Sequence, residues 1–269
     1  MLIMIIVLVI LLLLWVLAVR GRTGHEGLTA LCGWAYAHRG LYGDGIPENS
    51  LVAFRKAKEA GYGIELDVHL LSDGALAVIH DSKLERTTGK KGRIEDLTTE
   101  QLENYKLEGT EETIPLFSRV LELYNGEAPL IVELKSAGKN IDELCRRTCE
   151  VLDGYSGPYC MESFDPRCIR WLRKNRPDIV RGQLTENYFI SETSVLPAIL
   201  KFILCNQLLN FLTLPDFVAY RFADRKTLSN TLVRKLWGVQ GVTWTLKTQE
   251  EYDIAIKEGW IPIFEGFRP

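Results

Sequence analysis

The stretch YGIELDVHLLSDGALAVIHD (62–81) decides the fold. Read with the period-two alternation of a strand, Gly63 to Leu70 puts Glu65, Asp67 and His69 on one face and Ile64, Leu66 and Val68 on the other. Polar side chains at successive same-face positions are costly against a dry core; a bound cation or a solvated barrel mouth resolves the conflict. Asp73-Gly74 makes a turn, and Ala75 to Ile79 gives a further strand that ends at His80-Asp81.

Working outward, WAYAH (34–38) is a short strand that ends at Arg39 and Gly40. The loop LYGDGIPEN leaves Glu48 and Asn49 on a structured connection. Ser50 then caps a helix in which Leu51, Phe54 and Ala57 recur at helical spacing. Downstream, residues 82–113 are too long for an ordinary connection and read as a small insertion after the third strand. Helical stretches then alternate with strands at 129–135, 158–164, 179–184, 216–220, 239–246 and 261–264. This recurrence predicts a (β/α)8 TIM barrel, with nine strand candidates for eight positions. An open doubly wound sheet is the alternative, but no Gly-rich dinucleotide loop follows the first strand. The apolar stretch 192–215 reads as a barrel helix with its loop, or as a surface that meets lipid or an acyl chain.

The first nineteen residues, MLIMIIVLVILLLLWVLAV, are apolar throughout and are followed by Arg20 and Arg22. This predicts a transmembrane anchor over 1–19, a linker over 20–33 and a barrel over 34–269. A bilayer partner, a single-pass membrane location and a cytoplasmic catalytic domain follow from that reading. The net charge of -3 gives no global attraction to nucleic acid. The six cysteines form no CxxC pair, which favours a reducing compartment. No motif specifies an oligomeric state.

Glu65, Asp67 and Glu133 offer anionic oxygens from two strands, suited to a hard divalent cation such as Ca²⁺ or Mg²⁺. Arg39 and Lys135 supply positive charge for a phosphoryl group. Glu133 and Lys135 also read simply as an ion pair. His38 and His80 both end strands beside charged residues, and imidazole can act as either acid or base near neutral pH. His69 points the same way as the carboxylates, but nothing assigns it a proton. Glu48 orients a histidine or binds the metal, Asn49 braces the loop, and Phe164 and Trp244 are candidates for the pocket wall.

In AHRG (37–40), PENS (47–50), IELDVHLLSDGALAVIHD (64–81), LERTTGKKG (84–92), IP (114–115), VELK (132–135), SF (163–164) and TWTL (243–246), the chain resembles the glycerophosphodiester phosphodiesterase family. The resemblance implies a (β/α)8 barrel that cleaves glycerophosphodiesters to sn-glycerol 3-phosphate and an alcohol. It implies a histidine pair at His38 and His80, metal ligands at Glu65, Asp67 and Glu133, phosphate contacts from Arg39 and Lys135, and support from Glu48. The family's ending is replaced here by GWIPIFEGFRP, which leaves the polar contribution of the last strand open. Membrane-associated relatives resemble lysophospholipase D, so a lysophospholipid is the alternative substrate. A noncatalytic phosphodiester-binding barrel and a phosphatidylinositol-type phosphodiesterase are further alternatives.

Overall fold

The computed structural model describes residues 1–191 and 195–269. Its strands are β1 (Tyr36–His38), β2 (Gly63–Leu70), β3 (Leu76–Val78), β4 (Leu130–Leu134), β5 (Tyr159–Ser163), β6 (Arg181–Thr185), β7 (Phe217–Arg221), β8 (Gln240–Leu246) and β9 (Trp260–Phe264). The helices are α1 (Leu2–Ala18), α2 (Leu51–Glu59), α3 (Glu85–Thr88), α4 (Phe117–Tyr124), α5 (Ile141–Leu152), α6 (Pro166–Asn175), α7 (Ala198–Cys205), α8 (Asn210–Thr213), α9 (Leu228–Thr231) and α10 (Gln249–Lys257).

Every neighbouring pair in the sheet is parallel except β2 with β3, and β1 pairs with both β2 and β9. The eight parallel strands therefore close into a barrel. The strand left over is β3, which folds back antiparallel on the end of β2, with His69 opposite Ala77. The connection Leu71 to Ala75 is far too short for a parallel crossover, so no other pairing is open to it.

Alternation along each strand sorts the core into two layers. Tyr36, Ile131, Cys160, Leu184, Phe217, Ala219, Val242, Ile261 and Ile263 pack together inside the barrel. Ile64, Leu66, Val68, Leu130 and Val132 pack outward against Phe54, Phe117 and Leu144 of the helices. The interior layer stops short of the C-terminal strand ends, and the polar residues begin there. At the turn after β1, Gly40 has φ +83° and a Cβ there would lie 2.8 Å from Ala53, so only glycine lets α2 approach so closely. Ser50 caps α2, its hydroxyl accepting from the Ala53 amide at 3.1 Å.

The N-terminal anchor is a correction. The apolar run folds as α1, a helix of 17 residues, and among the described residues no helix is long and apolar enough to cross a membrane. Seventeen residues rise about 25 Å, against a hydrocarbon core of about 30 Å. The run does not extend further because its end is committed to the barrel. Val19 is fully buried against Val218, Val233 and Val239, and the Trp237 indole donates to the Val16 carbonyl at 2.9 Å. The expected transmembrane helix, the bilayer partner and the single-pass membrane location are overturned by this finding, and the cytoplasmic placement of the barrel loses the span it was read from.

The 192–215 stretch contains α7 and α8; Glu192 to Ser194 lie outside the described residues. Phe202 and Leu208 join Leu11, Leu12, Leu14 and Trp15 around an apolar cavity of about 740 Å³.

Candidate active site

The site lies at the C-terminal ends of β1, β2 and β4, where inner-face positions carry charge. Ligand atoms of Glu65, Asp67 and Glu133 all lie within 4.8 Å of one another, and all three side chains are buried. Two cations answer them. Lys135 Nζ lies 2.8 Å from Glu133 and 3.0 Å from Asp67, and Arg39 Nε lies 3.4 Å from Asp67. The Asn49 amide donates to Asp67 at 2.8 Å. Glu65 Oε2 is buried without a hydrogen bond, and the His38 ring lies 3.8 Å from it.

Electrostatics separates the carboxylates. Burial opposes ionisation of Asp67, but Lys135, His80, Arg39 and the Asn49 hydrogen bond hold its pKa well below the ordinary value. Burial and then the charges of Asp67, Glu133 and Glu162 push Glu65 well above it. Glu162, opposite Glu133 on β5, is raised by burial and by the charge of Glu133. The excess of buried carboxylate, together with the unpartnered Glu65 oxygen, fits a divalent cation held by Glu65, Asp67 and Glu133.

Both histidines are anchored through Nδ1. His38 Nδ1 lies 2.6 Å from Glu265, and His80 Nδ1 lies 2.6 Å from Asp81. A carboxylate only accepts, so Nδ1 carries the hydrogen and Nε2 of each neutral ring carries the lone pair. Burial lowers the pKa of His38, partly offset by its hydrogen bond to Glu265. Asp81 also takes a hydrogen bond from Arg86, whose guanidinium clasps Glu48 at 2.7 and 3.0 Å. Glu48 in turn pairs with Arg39 at 3.0 Å. A continuous chain of charge thus links His80 to Asp67 through Asp81, Arg86, Glu48 and Arg39.

The loop that carries Arg39 and Asn49 is locally strained. Arg39 has φ 56° and Asn49 φ 54°, and the Asn49 backbone amide donates to the Arg39 carbonyl at 3.0 Å. A left-handed backbone at a non-glycine residue persists only where its surroundings over-determine it. Phe164 and Trp244 stand edge to face at 5.5 Å above the inner core, and Tyr188 meets Phe164 at 6.4 Å. These aromatic rings pack on one another. Glu48 is placed between two arginines, outside the acidic triad.

Sequence reasoning missed Glu265, Arg86 and Glu162. Glu265 was legible: Ile261 and Ile263 face the interior, so the next residue of that parity, just past β9, must face the mouth. Its hydrogen bond to His38, against the opposing effect of burial, lowers its pKa to about 2. Such a carboxylate stabilises the fold above its unfolded value near about 4.3, and the contribution is lost as the pH falls towards about 2. Thermal melts of wild type and Glu265→Gln from about pH 2 to 7 check this. The stability gap between them should be widest near neutrality and close between about pH 4.5 and 2; a gap constant with pH speaks against the pairing.

A family model described as the glycerophosphoryl diester phosphodiesterase family matches residues 38–265. The chain belongs to that family. A glycerophosphodiester phosphodiesterase of Bacillus altitudinis is 44% identical over 107 residues, which are 37% of this chain and 43% of that protein. The match therefore spans less than half of that relative's length. Glycerophosphodiester phosphodiesterase 1 of Bos taurus is 31% identical over 244 residues, 81% of this chain and 72% of the relative. Among solved structures, an Oleispira antarctica phosphodiesterase in complex with the product sn-glycerol-3-phosphate superposes with a TM-score of 0.69 at 22% identity, covering 86% of this chain and 92% of that one. At that identity the likeness bears on the fold alone.

Proposed function

We propose that the chain hydrolyses glycerophosphodiesters to sn-glycerol 3-phosphate and an alcohol, with His38 and His80 as the acid–base pair. The observation that carries this is one barrel mouth holding an acidic triad, two cations paired to it and two Nδ1-anchored histidines. The phosphoryl group sits between Arg39 and Lys135, whose fixed charges oppose the charge gathered in displacement. A divalent cation, Ca²⁺ or Mg²⁺, held by Glu65, Asp67 and Glu133 supplies Lewis-acid stabilisation of that charge. His38 Nε2 takes a proton from the attacking water as its oxygen bonds to phosphorus. The bond from phosphorus to the alcohol oxygen breaks, and His80, entering the step as the imidazolium with Nδ1–H held by Asp81, gives that oxygen the proton on Nε2 and is left neutral. His38 takes the base role because burial favours its neutral ring, and Glu265, holding Nδ1, leaves Nε2 free to accept.

Deacylated substrates are favoured over lysophospholipids. The apolar cavity beside α7 is walled by α1, whose end packs on Val218 and Val239, at the N-terminal ends of β7 and β8. That is the opposite end of the barrel from the carboxylates, so an acyl chain lodged there has no phosphate beside it. The test is choline release by the full chain from glycerophosphocholine and from lysophosphatidylcholine, after chelation and after restoring either metal. Metal-dependent release chiefly from glycerophosphocholine is expected. If folded, metal-supplied protein releases choline from neither, the hydrolase reading gives way to the noncatalytic binding barrel.

A further inference from the structure

The 82–113 segment has its own small core of Leu84, Ile94, Leu97, Leu102 and Leu107, which seats on Leu71, Ala77 and Ile79 of the β2–β3 hairpin. One polar thread runs out of that core towards the site. His69, at the end of β2 and 3% exposed, is bracketed on both ring nitrogens. Its Nδ1 lies 2.9 Å from Glu95 Oε1, and its Nε2 lies 3.2 Å from the backbone carbonyl of His80. A carbonyl oxygen only accepts, so Nε2 is the donor there. The other oxygen of Glu95 is held by the Ser82 hydroxyl at 2.6 Å and faces Arg93 at 3.3 Å. Ser82 is anchored again through its carbonyl, which accepts from the Ile94 amide at 2.9 Å.

We propose that Glu95 is a positioning residue for His80, acting through His69. This rests on the acid–base role given to His80 above. The geometry gives the reason. The side chain of His80 is one-third exposed and, among the described residues, has a single anchor on its ring, Asp81, which is itself exposed over about a quarter of its surface. With its other end unpinned, the backbone of His80 could tilt and swing Nε2 away from a leaving oxygen. His69 pins that backbone, and Glu95 pins His69. The Glu95 carboxylate is itself held in its charged form. Burial disfavours that charge, yet the hydrogen bonds from His69 and Ser82 outweigh this and lower its pKa to about 2. The segment thereby does more than cover β3, since it sets the direction of the His80 ring through the residue beneath it.

The test uses the full chain with metal present and two readouts. The chain contains four histidines, so their ring resonances can be followed singly in ¹H–¹⁵N spectra. Glu95→Ala should shift the His69 and His80 ring signals and leave that of His25 in place. It should lower kcat on glycerophosphocholine by about 10–100-fold, the usual effect of removing an orienting group, with KM nearly unchanged. Glu95→Gln keeps an acceptor for His69 and should restore most of the rate. If Glu95→Ala fails to fold, Ser82→Ala loosens the same carboxylate and should move the same two signals by a smaller amount. A folded variant whose His80 signal and kcat match wild type overturns the proposal. So does a rise in KM alone. Should the wild type release no choline, the acid–base reading fails, while the His80 signal still decides whether Glu95 positions that ring.

Discussion

His38→Ala is expected to release head groups about 10²–10⁴-fold more slowly than wild type, the range general acid–base catalysis contributes. Its KM should change little, because the proposed phosphate contacts are Arg39 and Lys135, which His38 does not hold. His80→Ala should fall in the same range, and the double variant should be little worse than either single one. The two rings serve one displacement, so removing either already forfeits the concerted proton transfer. Steady-state kinetics of the three variants, with melting temperatures to confirm folding, provide the check. Multiplying losses in the double variant would show that the rings act in separate steps.

Glu65 and Asp67 should part company when each is made neutral. Glu65→Gln removes a buried charge that burial and three neighbouring carboxylates oppose, and Glu65 Oε2 has no hydrogen bond to lose. In the presence of chelator this variant should melt a few degrees above wild type, with about 2–4 °C for each kcal/mol recovered. Asp67→Asn withdraws the partner of Lys135, Arg39 and Asn49, and should melt lower, by up to about 3 kcal/mol of lost stability, since Glu133 still answers Lys135. Both variants should lose nearly all metal-supported activity. The stabilised, inactive Glu65→Gln is the signature of a site kept at the expense of the fold. Calorimetry with and without metal separates the two: added metal should raise the wild-type melting temperature and leave both variants nearly unmoved. Equal destabilisation by the two substitutions would contradict the electrostatic asymmetry.

Much of this was written in short-range patterns. The nine strands were legible because each is a brief apolar run bounded by turn residues, and Glu65, Asp67 and Glu133 because alternation forces like-facing residues together. The identity of the peripheral strand follows from the length of the turn after Leu71. The partners of the two histidines were harder, since His38 finds its carboxylate 227 residues away and only barrel closure says so. The Arg86 clasp on Glu48 spans 38 residues and needs the fold of the 82–113 segment. The N-terminal run misled for a different reason. Hydropathy alone cannot tell where an apolar helix will stop, and here its end is fixed by packing against Val218, Val233 and Val239.

The pairing of His38 with Glu265 lies across the seam where β1 meets β9. Synthesis proceeds from the amino end, so the ribosome delivers the histidine near the start of the barrel and its carboxylate after the ninth strand. A nascent chain halted before Trp260 has an unsealed edge on β1 and an unoriented ring beside it. The seam is therefore sealed only once translation has passed the last strand, and an interrupted polypeptide lacks the carboxylate that fixes the His38 ring.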